Sequence, residues 1–163
     1  MNRNTFRGLA TAFAGLALSA AAWAQVPQYG PNVNHEQARK AIAAAIAEAR
    51  KMNLPMAVAV VDTAGMLVAF ERMDNTQTGS VAVSQDKAGS AALYRRPTKV
   101  FQDVLAAGGV GLRVLTLRGA NAVEGGLPLV LDGKIIGALG VSGGTSEQDG
   151  VVAKAGTDGL AAK

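Results

Sequence analysis

The sequence predicts a single α/β domain of the α+β kind, with a largely antiparallel sheet flanked by helices. Three observations carry this expectation. An Asp-Gly pair joins two apolar runs late in the chain, an Asp-x-x-Gly turn joins two more near the middle, and amphipathic stretches of helical period lie outside both. Links this short make antiparallel neighbours, because a parallel connection needs a crossover of a dozen residues or more.

The first 24 residues stand apart. Arg3 and Arg7 form a basic flank, and the run from Leu9 to Ala22 is apolar except at Thr11, Gly15 and Ser19. Ala22-Trp23-Ala24 has the small-x-small form of a signal-peptidase site. The run is shorter than the roughly 20 apolar residues of a membrane-spanning helix. Residues 1–24 are therefore expected to be a signal peptide. That predicts a periplasmic or secreted chain with no stable membrane insertion after cleavage. Pro27, Gly30 and Pro31 make residues 25–33 an irregular lead-in, and the folded domain is expected over 34–163.

Asn34 with Gln37 three residues on has capping-box spacing. Ala38, Ala41, Ile42, Ala45, Ile46, Ala49 and Met52 then recur at helical period, Arg50 and Lys51 suit the last turn, and Pro55 stops the helix. Met56–Val61 and Met66–Met73 read as strands joined by a type I turn at Asp62-Thr63-Ala64-Gly65. Beyond a polar loop, Thr78 or Ser80 is expected to cap a helix running through Arg95 and stopped by Pro97. Its inward face would be Val81, Ser84, Ala88, Ala91 and Ala92, small enough for close approach to a sheet. Thr98 is expected to cap a short helix bearing Phe101, Val104 and Leu105, ended by Gly108, Gly109 and Gly111.

Leu112–Leu117 reads as a further strand. Leu127–Leu131 and Lys134–Val141 form a hairpin at Asp132-Gly133, a pair that tolerates the positive φ angles of a type I′ turn. Pro128 must then stand at a strand start or on an edge, since it cannot donate to the ladder. Ser142-Gly143-Gly144 leads into a last helix with Thr145 and Gln148 at capping-box spacing. Gly150, Gly156 and Gly159 weaken that helix by up to roughly 1 kcal/mol each, so tertiary packing must hold it.

Composition excludes several functions. The formal charge of +4 falls to +2 once Arg3 and Arg7 are removed, leaving 14 basic against 12 acidic residues. With no basic run and 4% aromatic residues, nucleic acid is not an expected partner. The absence of cysteine removes thiol catalysis, iron–sulfur ligation and cysteine zinc sites. Few large side chains make a thin core, and burying surface between subunits is one remedy, so a homo-oligomer is expected.

Gly140-Val141-Ser142-Gly143-Gly144 matches the Gly-x-Ser-x-Gly nucleophile elbow. A serine nucleophile needs a base, yet the one histidine, His35, lies far upstream, and the preceding strand belongs to an antiparallel hairpin. The match therefore reads as a Gly-rich strand-to-helix turn. Its backbone N–H groups at Ser142, Gly143, Gly144 and Thr145 form a candidate anion cradle, against which stands a self-capped helix using Glu147 and Asp149. His35 is a candidate haem-iron donor through its imidazole, although one histidine cannot build a protein-only zinc or copper site. Lys87, Tyr94, Arg95 and Arg96 gather on one helix and its end. They form a candidate site where cations hold carboxylates and tyrosine supplies a phenolate or stacking face; the alternative is a helix end whose dipole favours cations.

An ordered series of motifs adds to this reading. Val60-Val61-Asp62-x-x-Gly65 is followed by Asp86-Lys87-Ala88-x-x-Ala91-Ala92, then Arg96-Pro97-Thr98 and Gly125-Gly126-x-Pro128-Leu129. Gly137-Ala138-x-Gly140-Val141-Ser142-Gly143-Gly144 and Gln148-Asp149 close the series. Over about residues 34–162 the chain resembles the GlcG/HbpS-like family, the haem-degrading or extracellular haem-binding domains. Glu124 departs from it, standing where a proline often precedes the two glycines. The resemblance implies an antiparallel sheet flanked by helices, multimeric assembly, and haem as cofactor in some members, with iron binding or haem breakdown attributed to certain ones. It supplies no universal axial histidine. The expectation is an exported haem-binding protein serving haem sequestration or protection. The alternatives are an enzyme that degrades haem or acts on a small carboxylic acid, and an oligomeric structural or sensory accessory protein.

Overall fold

The computed structural model describes residues 26–161, so the expected signal peptide, residues 1–24, lies outside the described residues. Helix α1 spans His35–Lys51 and opens with a complete capping box: Gln37 N–H donates to Asn34 Oδ1 and Asn34 N–H to Gln37 Oε1, both at 2.9 Å. Ala38, Ala41, Ile42, Ala45, Ile46 and Ala49 form its buried stripe, as the period predicts.

Strands β1 (Ala57–Val61) and β2 (Leu67–Arg72) form the first hairpin, and β3 (Gly126–Leu131) and β4 (Lys134–Ser142) the second. The four strands lie in the order β2-β1-β4-β3, antiparallel throughout. Asp62 shapes the first turn by accepting from Ala64 and Met66 N–H at 2.8 and 2.9 Å. Asp132 and Gly133, at φ +50° and +74°, make the expected type I′ turn. Pro128 sits on an edge strand, where its missing donor costs no ladder bond.

Helix α2 is Ser80–Tyr94, α3 is Thr98–Ala106 and α4 is Ser146–Ala161. On one face of the sheet α1 and α4 cover Val58, Val60, Leu139 and Val141. On the other, Ala88, Ala91 and Ala92 of α2 meet Ala59, Val61 and Ala138. The α2 layer lies very close to β4 and β3. A Cβ on Gly140 would fall 2.5 Å from Ala88 N and still nearer Ser84 O, and one on Gly126 would meet Lys87 O.

Three local expectations fail. Leu112–Leu117 is not a strand: Gly109–Thr116 is a 3-10 helix. Gly109 turns left-handed at φ +53°, and Gly111 rests so tightly on Val104 O that no Cβ fits, which folds the segment back on α3. Neither Thr78 nor Ser80 caps α2, because Ser80 is buried with its hydroxyl turned to β4. Thr98 does not cap α3 either. It is buried, and its Oγ1 accepts from Gly126 N–H at 2.9 Å, tying α3 to the start of β3. The inward face of α2 also shifts slightly: Val81 is half-buried, while Ser80, Lys87 and Ser90 join the buried set.

Candidate functional site

Several pieces of the motif series converge, but on the interior. Lys87 lies 1% exposed on the sheet-facing side of α2. Its Nζ donates to Asp149 Oδ2 at 2.6 Å and to Val141 O at 3.0 Å. Asp149, on the first turns of α4, also accepts from Gly144 N–H through Oδ1 at 2.9 Å. Burial pushes the Asp149 carboxyl above its ordinary value of 3.8, against the opposing pull of Lys87 and of the Gly144 and Gly143 N–H groups. The anion in the Ser142-Gly143-Gly144 cradle is therefore the protein's own carboxylate. Gly125 closes over the ammonium, with the place of its Cβ only 3.0 Å from Lys87 Nζ, and Gly126 packs against the Lys87 backbone carbonyl.

Ser142 is buried and its hydroxyl donates to Ser80 Oγ at 3.0 Å. No imidazole stands beside it, so the nucleophile elbow has no base. Thr145 and Gln148 close the expected capping box at 2.9 and 3.3 Å. Lys87, Ser142, Gly143 and Gly144 thus share one structural node. Tyr94 and Arg96 stand apart from it. The Tyr94 hydroxyl donates to Arg118 O at 2.7 Å, its ring meets Phe101 edge-on at 5.1 Å, and Arg96 lies over Phe101 at 5.7 Å.

His35 belongs to the opposite face of the sheet. It is exposed at the first turn of α1 and lines a cleft of ≈ 300 Å³ against β2, together with Arg39, Ile42, Phe70 and Glu71. That cleft offers one imidazole, one guanidinium, the Glu71 carboxylate and an apolar wall of Ile42, Ala43 and Ala69, while the Phe70 ring turns to the α2 face. Sequence reading singled out His35 but missed its neighbours, because β2 reaches it only through the hairpin. It also left Asp149 unpaired with Lys87, as 62 residues separate them. The signal was a lysine within the inward arc of α2, which a fold accepts only with a buried acid. Among the described residues no three His, Asp or Glu side chains cluster as a metal site. No described helix is long and apolar enough to cross a membrane.

Comparison with known proteins gives a consistent neighbourhood. The family model described as haem degrading protein HbpS-like matches residues 33–158. Protein GlcG of Escherichia coli (strain K12) is 42% identical over 110 residues, which is 68% of this chain and 81% of GlcG. The crystal structure of Klebsiella pneumoniae protein ORFY superposes with a TM-score of 0.75 at 30% identity, over 83% of this chain and 95% of that one. A crystal structure of a PduOC:haem complex superposes with a TM-score of 0.70 at 27% identity, over 78% of this chain and 94% of that one.

Proposed function

Since this chain belongs to the HbpS-like family, we propose that it binds haem in the cleft between α1 and β2, with His35 as the iron donor. The observation that carries this reading is the company His35 keeps. Imidazole is the common haem ligand, Arg39 one turn along α1 can pair with a propionate, and Ile42, Ala43 and Ala69 supply the apolar part of the wall. The haem complex of the related PduOC domain supports the same ligand class. Haem would bring iron-centred ligand and redox chemistry to the site; the chain's own residues bind and orient it. The basic flank and small-x-small site at the N-terminus favour sequestration or protection outside the cytoplasm.

Haemin titrated into the protein is expected to give a saturable, shifted Soret band. The band is lost or moved in His35→Ala and retained in Tyr94→Phe. The Tyr94 phenol is held by Arg118 O and is the second choice of donor. An unchanged band in His35→Ala sinks the assignment, and loss in Tyr94→Phe transfers it to the Arg96 end of α2.

An exposed apolar surface supports the expected homo-oligomer. Val110, Leu112 and Leu115 of the 3-10 helix are 79%, 52% and 71% exposed. An apolar cluster of this kind on a small domain favours association with a second copy. Light scattering is expected to show an assembly that Val110→Asp with Leu115→Asp reduces to monomers. A monomeric parent protein would remove this part of the reading.

A further inference from the structure

A second cleft, of ≈ 500 Å³, lies on the α2 side of the sheet and belongs neither to the Lys87–Asp149 node nor to the His35 site. Its floor is α2 from Gln85 to Leu93, and its walls are the Gly65 turn and the loop Gly119–Asn121. No basic residue lines it, while the exposed carboxylate of Asp86 does. Gln85 spends its Nε2 on Val81 O at 2.9 Å, which leaves Oε1 as an acceptor. Asn121 spends its backbone N–H on Ser90 Oγ at 3.0 Å and its Oδ1 on Val123 N–H at 3.1 Å, which leaves the Nδ2 donors. Carboxylate, amide acceptor and amide donor thus stand around one opening.

Gly89 adds an independent observation. It sits inside α2, where glycine is the least favourable residue after proline. A Cβ there would meet nothing within 4 Å, so packing does not require the glycine. What its bare backbone preserves is the floor of the cleft. Gly65 and Gly119 keep the facing walls equally bare, both at positive φ.

We propose that this cleft is a ligand site for a small hydroxylated organic cation of the aminoalcohol class, its ammonium received by Asp86 and its hydroxyl by Gln85 and Asn121. A carboxylate or phosphate would face Asp86 with no cation to compensate, which also separates this site from a dianionic haem. The cleft volume lies within the range of small-molecule sites.

The test is an amide-resolved NMR titration of the protein with ethanolamine at neutral pH, with ethylene glycol and acetate as neutral and anionic probes. Ethanolamine is expected to shift the Gly89, Ser90, Gly119 and Asn121 signals saturably and more tightly than either control. Asp86→Asn, at an exposed position, is expected to weaken binding about tenfold. Gly89→Leu, whose Cβ meets no atom within 4 Å, fills the floor and is expected to abolish it. The absence of saturable shifts overturns the proposal. So does equal affinity for ethylene glycol or acetate, or an Asp86→Asn variant that binds as tightly as the parent. None of these outcomes bears on the Soret measurement, so the two readings fail separately.

Discussion

Lys87→Met is expected to lower stability by about 3–5 kcal/mol, read as a shift of the urea midpoint at unchanged slope. Methionine keeps most of the volume and removes only the ammonium. Asp149 would then remain buried at 3% exposure with its charge opposed by two backbone N–H groups alone, and Val141 O would lose its donor. Small domains hold about 5–15 kcal/mol in total, so this one change takes a large share. The double variant Lys87→Met with Asp149→Leu is expected to recover most of the loss, because neither buried charge then remains. A single variant that unfolds at the parent's midpoint would show that water reaches the node.

The raised carboxyl says that the pair does not fully offset its own desolvation. The folded protein holds the Asp149 proton at higher pH than the unfolded chain does. Between 3.8 and the raised value the native state therefore carries more protons, so the contribution of Asp149 to stability falls as pH rises through that window. Subtracting the profile of Asp149→Asn, which cannot titrate, isolates this slope. A difference that instead rises with pH would mean that Lys87 dominates.

Much of this fold was legible because its signals are local. The Asn34–Gln37 box, the Asp132-Gly133 turn and the period of α1 each need only a few neighbouring residues to be recognised, and each stands as read. The errors came where a partner far along the chain reassigns a polar group. Ser80 and Thr98 looked like caps, but β4 and β3 claim their hydroxyls. Leu112–Leu117 has strand composition, yet β3 is the sheet edge and no strand pairs beyond it. Of the candidate site residues, the sequence grouped Lys87 with Tyr94 by helical spacing. Burial separates them, one in the node and the other on the rim.

Gly140→Ala is expected to be the most damaging substitution for its size, costing about 3 kcal/mol, the upper part of the range for overpacking. The atoms it would meet are backbone, Ser84 O and Ala88 N, so no side chain can rotate away. Helix α2 would have to lift from β4, and with it Lys87 would be drawn off Asp149 2.6 Å away. Gly89→Ala is the matched control on the outer side of the same helix. Its Cβ meets nothing, so it is expected to gain about 0.5–1 kcal/mol from helix propensity alone. Opposite signs at Gly140 and Gly89, measured by denaturation of both variants, would establish that the layer spacing is set by missing Cβ atoms on β4. A tolerated Gly140→Ala would instead mean that α2 rides loosely on the sheet, and the rigid Lys87–Asp149 node would have to be given up with it.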